Sequence, residues 1–170
     1  GNKHQTPVQE AHSELSKYAD VYIHSIDTRV KPVDAFIALL QNKSYNVSRF
    51  YNKSFNNQLI KLLKNQSFDV IQLEGTFVGP YVETVKKYSK ALISLRMHNA
   101  EFEIWERLAA NSTNPVKKWY LNKLAHQLKV YEQVLVGKVD CVVPVTDSDG
   151  AKLKGLNNHI KLKTIPAAVN

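Results

Sequence analysis

The sequence predicts an α/β domain of the Rossmann-like, three-layer kind, built on a mostly parallel sheet. Three observations carry that prediction. Runs such as "DVIQL", "ALISL" and "CVVPV" are short and almost continuously apolar, as buried strands are. Longer segments with apolar residues at three- and four-residue steps separate them, as amphipathic helices would. Strands alternating with helices in this way form parallel sheets covered on both faces, joined by right-handed crossovers.

Taken in order, "VQEAHSELSKYA" (8–19) has helical spacing, and "DVYIHSID" (20–27) reads as a strand. "PVDAFIALLQ" (32–41) opens on a proline suited to a helix's first turn and spaces Phe36, Leu39 and Leu40 helically. The polar, tyrosine-rich "NKSYNVSRFYNKSFN" (42–56) reads as a loop, and Leu59, Ile60, Leu62 and Leu63 mark the next helix. "FDVIQLEG" (68–75) is a strand closing in glycine, followed by a helix over about 77–88 and the strand "ALISLRM" (91–97). An acidic, aromatic helix comes next, with Phe102, Trp105 and Leu108 three apart as a packing stripe, a sugar-stacking platform being the second reading. A longer helix runs from Pro115 to Val136, where Leu121, Leu124, Leu128 and Tyr131 make one apolar stripe and Gly137 is the stop. "DCVVPVT" (140–146) is a strand, "SDGAKLKGL" (148–156) a short helix and "IKLKTIP" (160–166) a last strand.

Composition narrows the function. The 170 residues are the size of one domain. No apolar run approaches the roughly 20 residues of a membrane-spanning helix, and the opening "GNKHQTPVQE" is too polar for a signal peptide. Cys141 stands alone, which excludes an intrachain disulfide and a zinc–thiolate cluster and fits a reducing cytoplasm. The net charge of +8 is dispersed: Lys117, Lys118, Lys123 and Lys129 share the long helix with Glu132, and Lys152, Lys154, Lys161 and Lys163 lie near the end. That pattern reads as a solvated basic surface, with peripheral contact to an anionic membrane as the next reading. No aromatic-basic motif supports nucleic acid as a partner. There is no G-x-G-x-x-G, P-loop or G-x-S-x-G, and His24, His98, His126 and His159 lack metal-ligand spacing. No metal and no bound cofactor are expected.

In open parallel sheets, ligands bind beyond the carboxyl ends of the strands. Three strand ends deliver polar groups there: Glu74 and Thr76; His98, Asn99 and Glu101; Thr146, Asp147 and Asp149. Each has a structural reading beside the functional one. Asn99 suits a helix cap, with Glu101 and Glu103 favouring the helix dipole. Thr146 and Asp149 have capping-box spacing. His98 is not needed as a cap, and its near-neutral pKa suits hydrogen bonding or proton transfer in a cleft. Tyr45, Phe50 and Tyr51, with Arg49 among them, pack a loop or else line an acceptor groove or meet a membrane surface.

The segment "FDVIQLEGTFVGPYVETVKKYSKALISLRMHNAEFEIWERLA" resembles the amino-terminal domain of bacterial family 4 (group 1) glycosyltransferases. There an acidic strand end precedes a helix and then a strand ending in His-Asn or His-Asp. "KVDCVVPVTDSDGAKL" is similar to that family's late strand-to-helix step, and "IPAAVN" to its "IP-x-G-V-D" crossover, with Ala168 and Asn170 departing from the usual glycine and aspartate. The resemblance implies one half of a GT-B fold. Residues 1–170 would be the acceptor-side domain, without the family's first strand and glycine-rich loop and without the carboxyl-terminal nucleotide-sugar domain that bears E-x7-E.

It further implies retaining, metal-independent transfer from a nucleotide sugar to a glycan or glycolipid acceptor, in the cytoplasm or at the inner face of the membrane, with this piece inactive alone. His98 matches the family's cleft histidine, Asn99 its partner, and Glu74 and Glu101 acceptor-binding positions; Thr76 and Thr146 join them as substrate-binding residues. The alternative from a different class is a self-contained flavodoxin-like module that binds an anionic ligand or a protein partner.

Overall fold

The computed structural model describes residues 8–167. It is α/β, with an open, all-parallel sheet in the order β1 (Val70–Glu74), β2 (Leu92–Met97), β3 (Cys141–Pro144). The expected Rossmann-like class is the one observed. The helices are α1 (Val8–Leu15), α2 (Pro32–Leu40), α3 (Tyr45–Ser48), α4 (Lys53–Asn65), α5 (Val82–Tyr88), α6 (Glu101–Ala110), α7 (Pro115–Val136) and α8 (Asp147–Leu156). A 3-10 turn, Thr76–Tyr81, leads into α5.

Register divides the sheet's side chains between two faces. Val70, Gln72 and Glu74 stand beside Leu92, Ser94 and Arg96, while Ile71 and Leu73 stand beside Ile93 and Leu95. The second set continues through Met97 and Val142 into one core with Leu63, Val82, Val85, Leu128, Leu135, Val136 and Leu153, so α4, α5, α7 and α8 all contribute to it. Leu95, Leu128, Val142 and Leu153 are fully buried there. The first face is more open, with Val70 and Leu92 more than half exposed. The sheet's order is thus fixed by its middle strand, whose alternate residues are wholly buried.

Three expectations needed correction. The segment 20–27 forms no strand. A strand exists only by pairing, and among the described residues no strand lies alongside it; instead His24 Nε2 meets Asn52 Oδ1 at 3.2 Å and its ring lies against Phe55. The expected loop 42–56 is largely ordered. It holds α3 and the start of α4, whose Asn52 cap accepts from Phe55 N. The last strand shrinks to a single bridge, Leu162 to Val142, although Val142 N, Lys163 N and Ile165 N all bond across to or from this segment. The apolar stripes are also only partly buried: Phe102 is core, but Leu108, Phe36 and Leu40 are exposed. Tyr45 is buried, Phe50 stacks on Phe77 and Tyr51 on Tyr81, so these aromatics chiefly pack the chain around the 3-10 turn. The terminal "IPAAVN" reaches beyond the described residues at its last three positions.

The 3-10 turn is held close to α7 by a glycine. A β-carbon at Gly79 would lie 2.3 Å from Tyr131 Oη and 2.9 Å from a Leu135 methyl. Gly79→Ala is therefore expected to destabilise the fold by about 1–3 kcal/mol through overpacking. Urea unfolding checks this, and an unchanged midpoint would show that the turn yields freely.

Candidate functional site

β1 ends at Glu74, and Gly75 then takes a positive φ of 83° that carries the chain straight into the 3-10 turn. β2 ends at Met97, leaving His98 and Asn99 exposed in the step to α6. These two strand ends meet. His98 Nε2 lies 3.1 Å from Glu74 Oε2, with both side chains about half exposed, 57% and 50%. An ionised carboxylate only accepts, so Nε2 carries the shared proton and a neutral imidazole keeps Nδ1 as an acceptor. Gln72 Nε2 donates to the other oxygen of Glu74 and fixes its orientation.

Behind this pair lies a residue outside the set that the strand ends suggest. Glu132 on α7 is wholly buried. Its carboxylate accepts from Thr76 Oγ1 at 2.6 Å, from Glu101 N at 3.2 Å and from Phe102 N at 3.3 Å. It therefore serves the orphan amides that open α6, a task expected of Asn99. The residue at the cap position is Ala100, which has no side chain for the purpose, and Asn99 stands exposed beside it without capping the helix. Thr76 is 1% exposed and its hydroxyl is spent on Glu132, so it braces the site from below and offers nothing to a substrate.

Burial pushes the Glu132 carboxyl up to about 7, against the three hydrogen bonds and with the help of the nearby Glu101 charge. Burial also raises the Glu101 carboxyl, opposed by the neighbouring Asn99 amide and by His98. The spacing of α7 does carry a signal for Glu132. It stands four residues after Leu128 and three before Leu135, on the buried stripe and away from the solvated lysines.

The third strand end is tied in through Asp149. Thr146 caps α8 by accepting from Asp149 N at 3.1 Å, the first half of the expected capping box; the second bond differs, since the Asp149 carboxylate accepts from the Thr146 hydroxyl and not from Thr146 N. The other Asp149 oxygen accepts from Ala100 N at 3.3 Å, joining the start of α8 to the start of α6. Thr146 is exposed, as is Asp147 in the first turn of α8.

The structure thus brings Glu74, His98, Asn99 and Glu101 together on one edge. Thr76 lies beneath them and Thr146 is linked through Asp149. An exposed carboxylate, an oriented imidazole and an amide side by side can hold several hydroxyl groups, and Nδ1 can accept a proton. Among the described residues, no three His, Cys, Asp or Glu side chains are grouped as a metal site requires, and no helix is long and apolar enough to cross a membrane. No family model, curated protein or solved structure matches the chain.

Proposed function

We propose that this chain is the acceptor-side domain of a retaining, metal-independent glycosyltransferase, moving a sugar from a nucleotide-sugar donor to a glycan or glycolipid acceptor. The observation that carries this reading is the Glu74–His98 pair on the carboxyl edge of a parallel sheet, where open α/β folds take their ligands. Glu74 orients His98, and His98 positions the reacting hydroxyl or the donor sugar. Asn99 and Glu101 bind acceptor hydroxyls, and Thr146 at the start of α8 faces the donor phosphates. Thr76 acts indirectly, through Glu132. The donor domain is a separate unit, and the reading puts the protein in the cytoplasm, at the inner face of the membrane where glycolipid acceptors are presented.

His98→Ala, made in the protein carrying both domains, is expected to lower turnover at least about tenfold, or about 1.4 kcal/mol of barrier, with the melting temperature unchanged because the side chain is exposed. Steady-state kinetics alongside thermal melts checks this. Wild-type turnover in the variant would remove His98 from the reaction, whereas no sugar transfer by the unaltered two-domain protein would leave the flavodoxin-like binding module as the better reading.

A further inference from the structure

A cavity lies away from the sheet edge, between α2, α3 and the segment that precedes α2. It has a volume of about 480 Å³, and its lining includes Arg29, Lys31, Lys43 and Arg49 with only Asp27 and Asp34 to balance them. Arg29 is already neutralised: its Nε and one terminal nitrogen each donate to Asp27 at 2.9 Å, and that guanidinium holds the Asp27 carboxyl well below its ordinary range. Lys31, Lys43 and Arg49 form no ion pair among the described residues. Three unneutralised cations therefore face one free carboxylate.

Two further groups lack an acceptor. Arg49 Nε is buried without any hydrogen-bond partner, which is costly for a guanidinium nitrogen. Tyr45 is 8% exposed and lines the cavity; its oxygen accepts from Lys31 N at 2.8 Å, while its own hydroxyl hydrogen has no acceptor among the described residues. The Tyr45 hydroxyl hydrogen is a donor that an anion would satisfy, whereas Arg49 Nε has no accessible surface and Arg49, its guanidinium 5.2 Å above the Phe50 ring, serves the cavity by its charge. The space is too large for a bare phosphate and falls in the range of small-molecule sites. Asp34 and Ser48 in the lining supply partners for hydroxyl groups.

We infer that this cavity binds a phosphate monoester of a small polyol, the phosphate held by Arg49, Lys31 and Lys43 and the hydroxyls by Asp34 and Ser48. The inference does not depend on sugar transfer at the sheet edge. The test is a calorimetric titration of the chain with glucose 6-phosphate, glucose and inorganic phosphate in low-salt buffer. Glucose 6-phosphate is expected to bind with a dissociation constant below about 1 mM, and at least about tenfold more tightly than either control. Arg49→Met should weaken it about tenfold, the loss of a charge-assisted hydrogen bond. Lys43→Gln, at an exposed position that leaves folding untouched, should weaken it about threefold. No binding by 10 mM (on the order of 3 kcal/mol of affinity), or full affinity in Lys43→Gln and in a folded Arg49→Met, would overturn the site. Equal affinity for inorganic phosphate would overturn the polyol part.

Discussion

Glu132→Ala is expected to cost about 3–5 kcal/mol at pH 5. The change strips the acceptor from Thr76 Oγ1, Glu101 N and Phe102 N at once. The vacated space admits water, so each of the three donors costs about 1 kcal/mol, the low end for a buried donor left unpaired, and the lost methylene adds about 0.8 kcal/mol. Against this stands the relief of removing a buried carboxyl, which is small at pH 5 because the group is then protonated. The orphaned donors win. The damage should centre on the start of α6 and the 3-10 turn, and with them on the Glu74–His98 edge. Urea unfolding gives the free energy, and amide exchange at Glu101 and Phe102 gives the location. A loss below about 1 kcal/mol would mean that water replaces the carboxylate fully.

How much of this is legible in the sequence depends on whether the signal is local. α7 can be read from Pro115 to Val136 because proline, a capping asparagine before it and a glycine after it mark its ends within the segment itself. The three paired strands are legible because "DVIQL", "ALISL" and "CVVPV" are apolar enough to be buried whichever way they face. "DVYIHSID" looks alike but fails, since nothing in its residues records whether a neighbouring strand is there to pair with; Tyr22 and Ile23 are left exposed. The edge position of Glu74, His98 and Glu101 follows from topology alone. The identity of the helix cap does not. Asn99 has the right chemistry, but the amides of α6 are met from a helix some thirty residues later, by a carboxylate whose helical stripe alone marks it as buried.

The same carboxylate should give the stability a distinct pH dependence. In the unfolded chain Glu132 titrates at its ordinary 4.5, and in the fold burial raises it to about 7. Between those values the native state holds a proton that the unfolded state has lost, so stability is full below about pH 4.5 and falls as pH rises through about 7. Each pH step of one between the two values removes about 1.4 kcal/mol, so the fall approaches 3 kcal/mol by about pH 8. No cation offsets it: among the described residues none pairs with Glu132, and the titratable groups facing it are Glu101, whose charge opposes its own, and Tyr131, whose phenol burial pushes far up. Glu101 is raised as well and adds a fall of the same sign. Glu132→Gln isolates the Glu132 part, because the amide keeps an acceptor for Thr76 and removes the titration. Wild type should lose about 3 kcal/mol between pH 5 and pH 8 and the Gln variant less than about 1 kcal/mol, read from urea midpoints at each pH. Parallel curves would mean that the three donors outweigh burial and keep the carboxylate ionised throughout, a rigid anionic brace beneath the site with no response to pH.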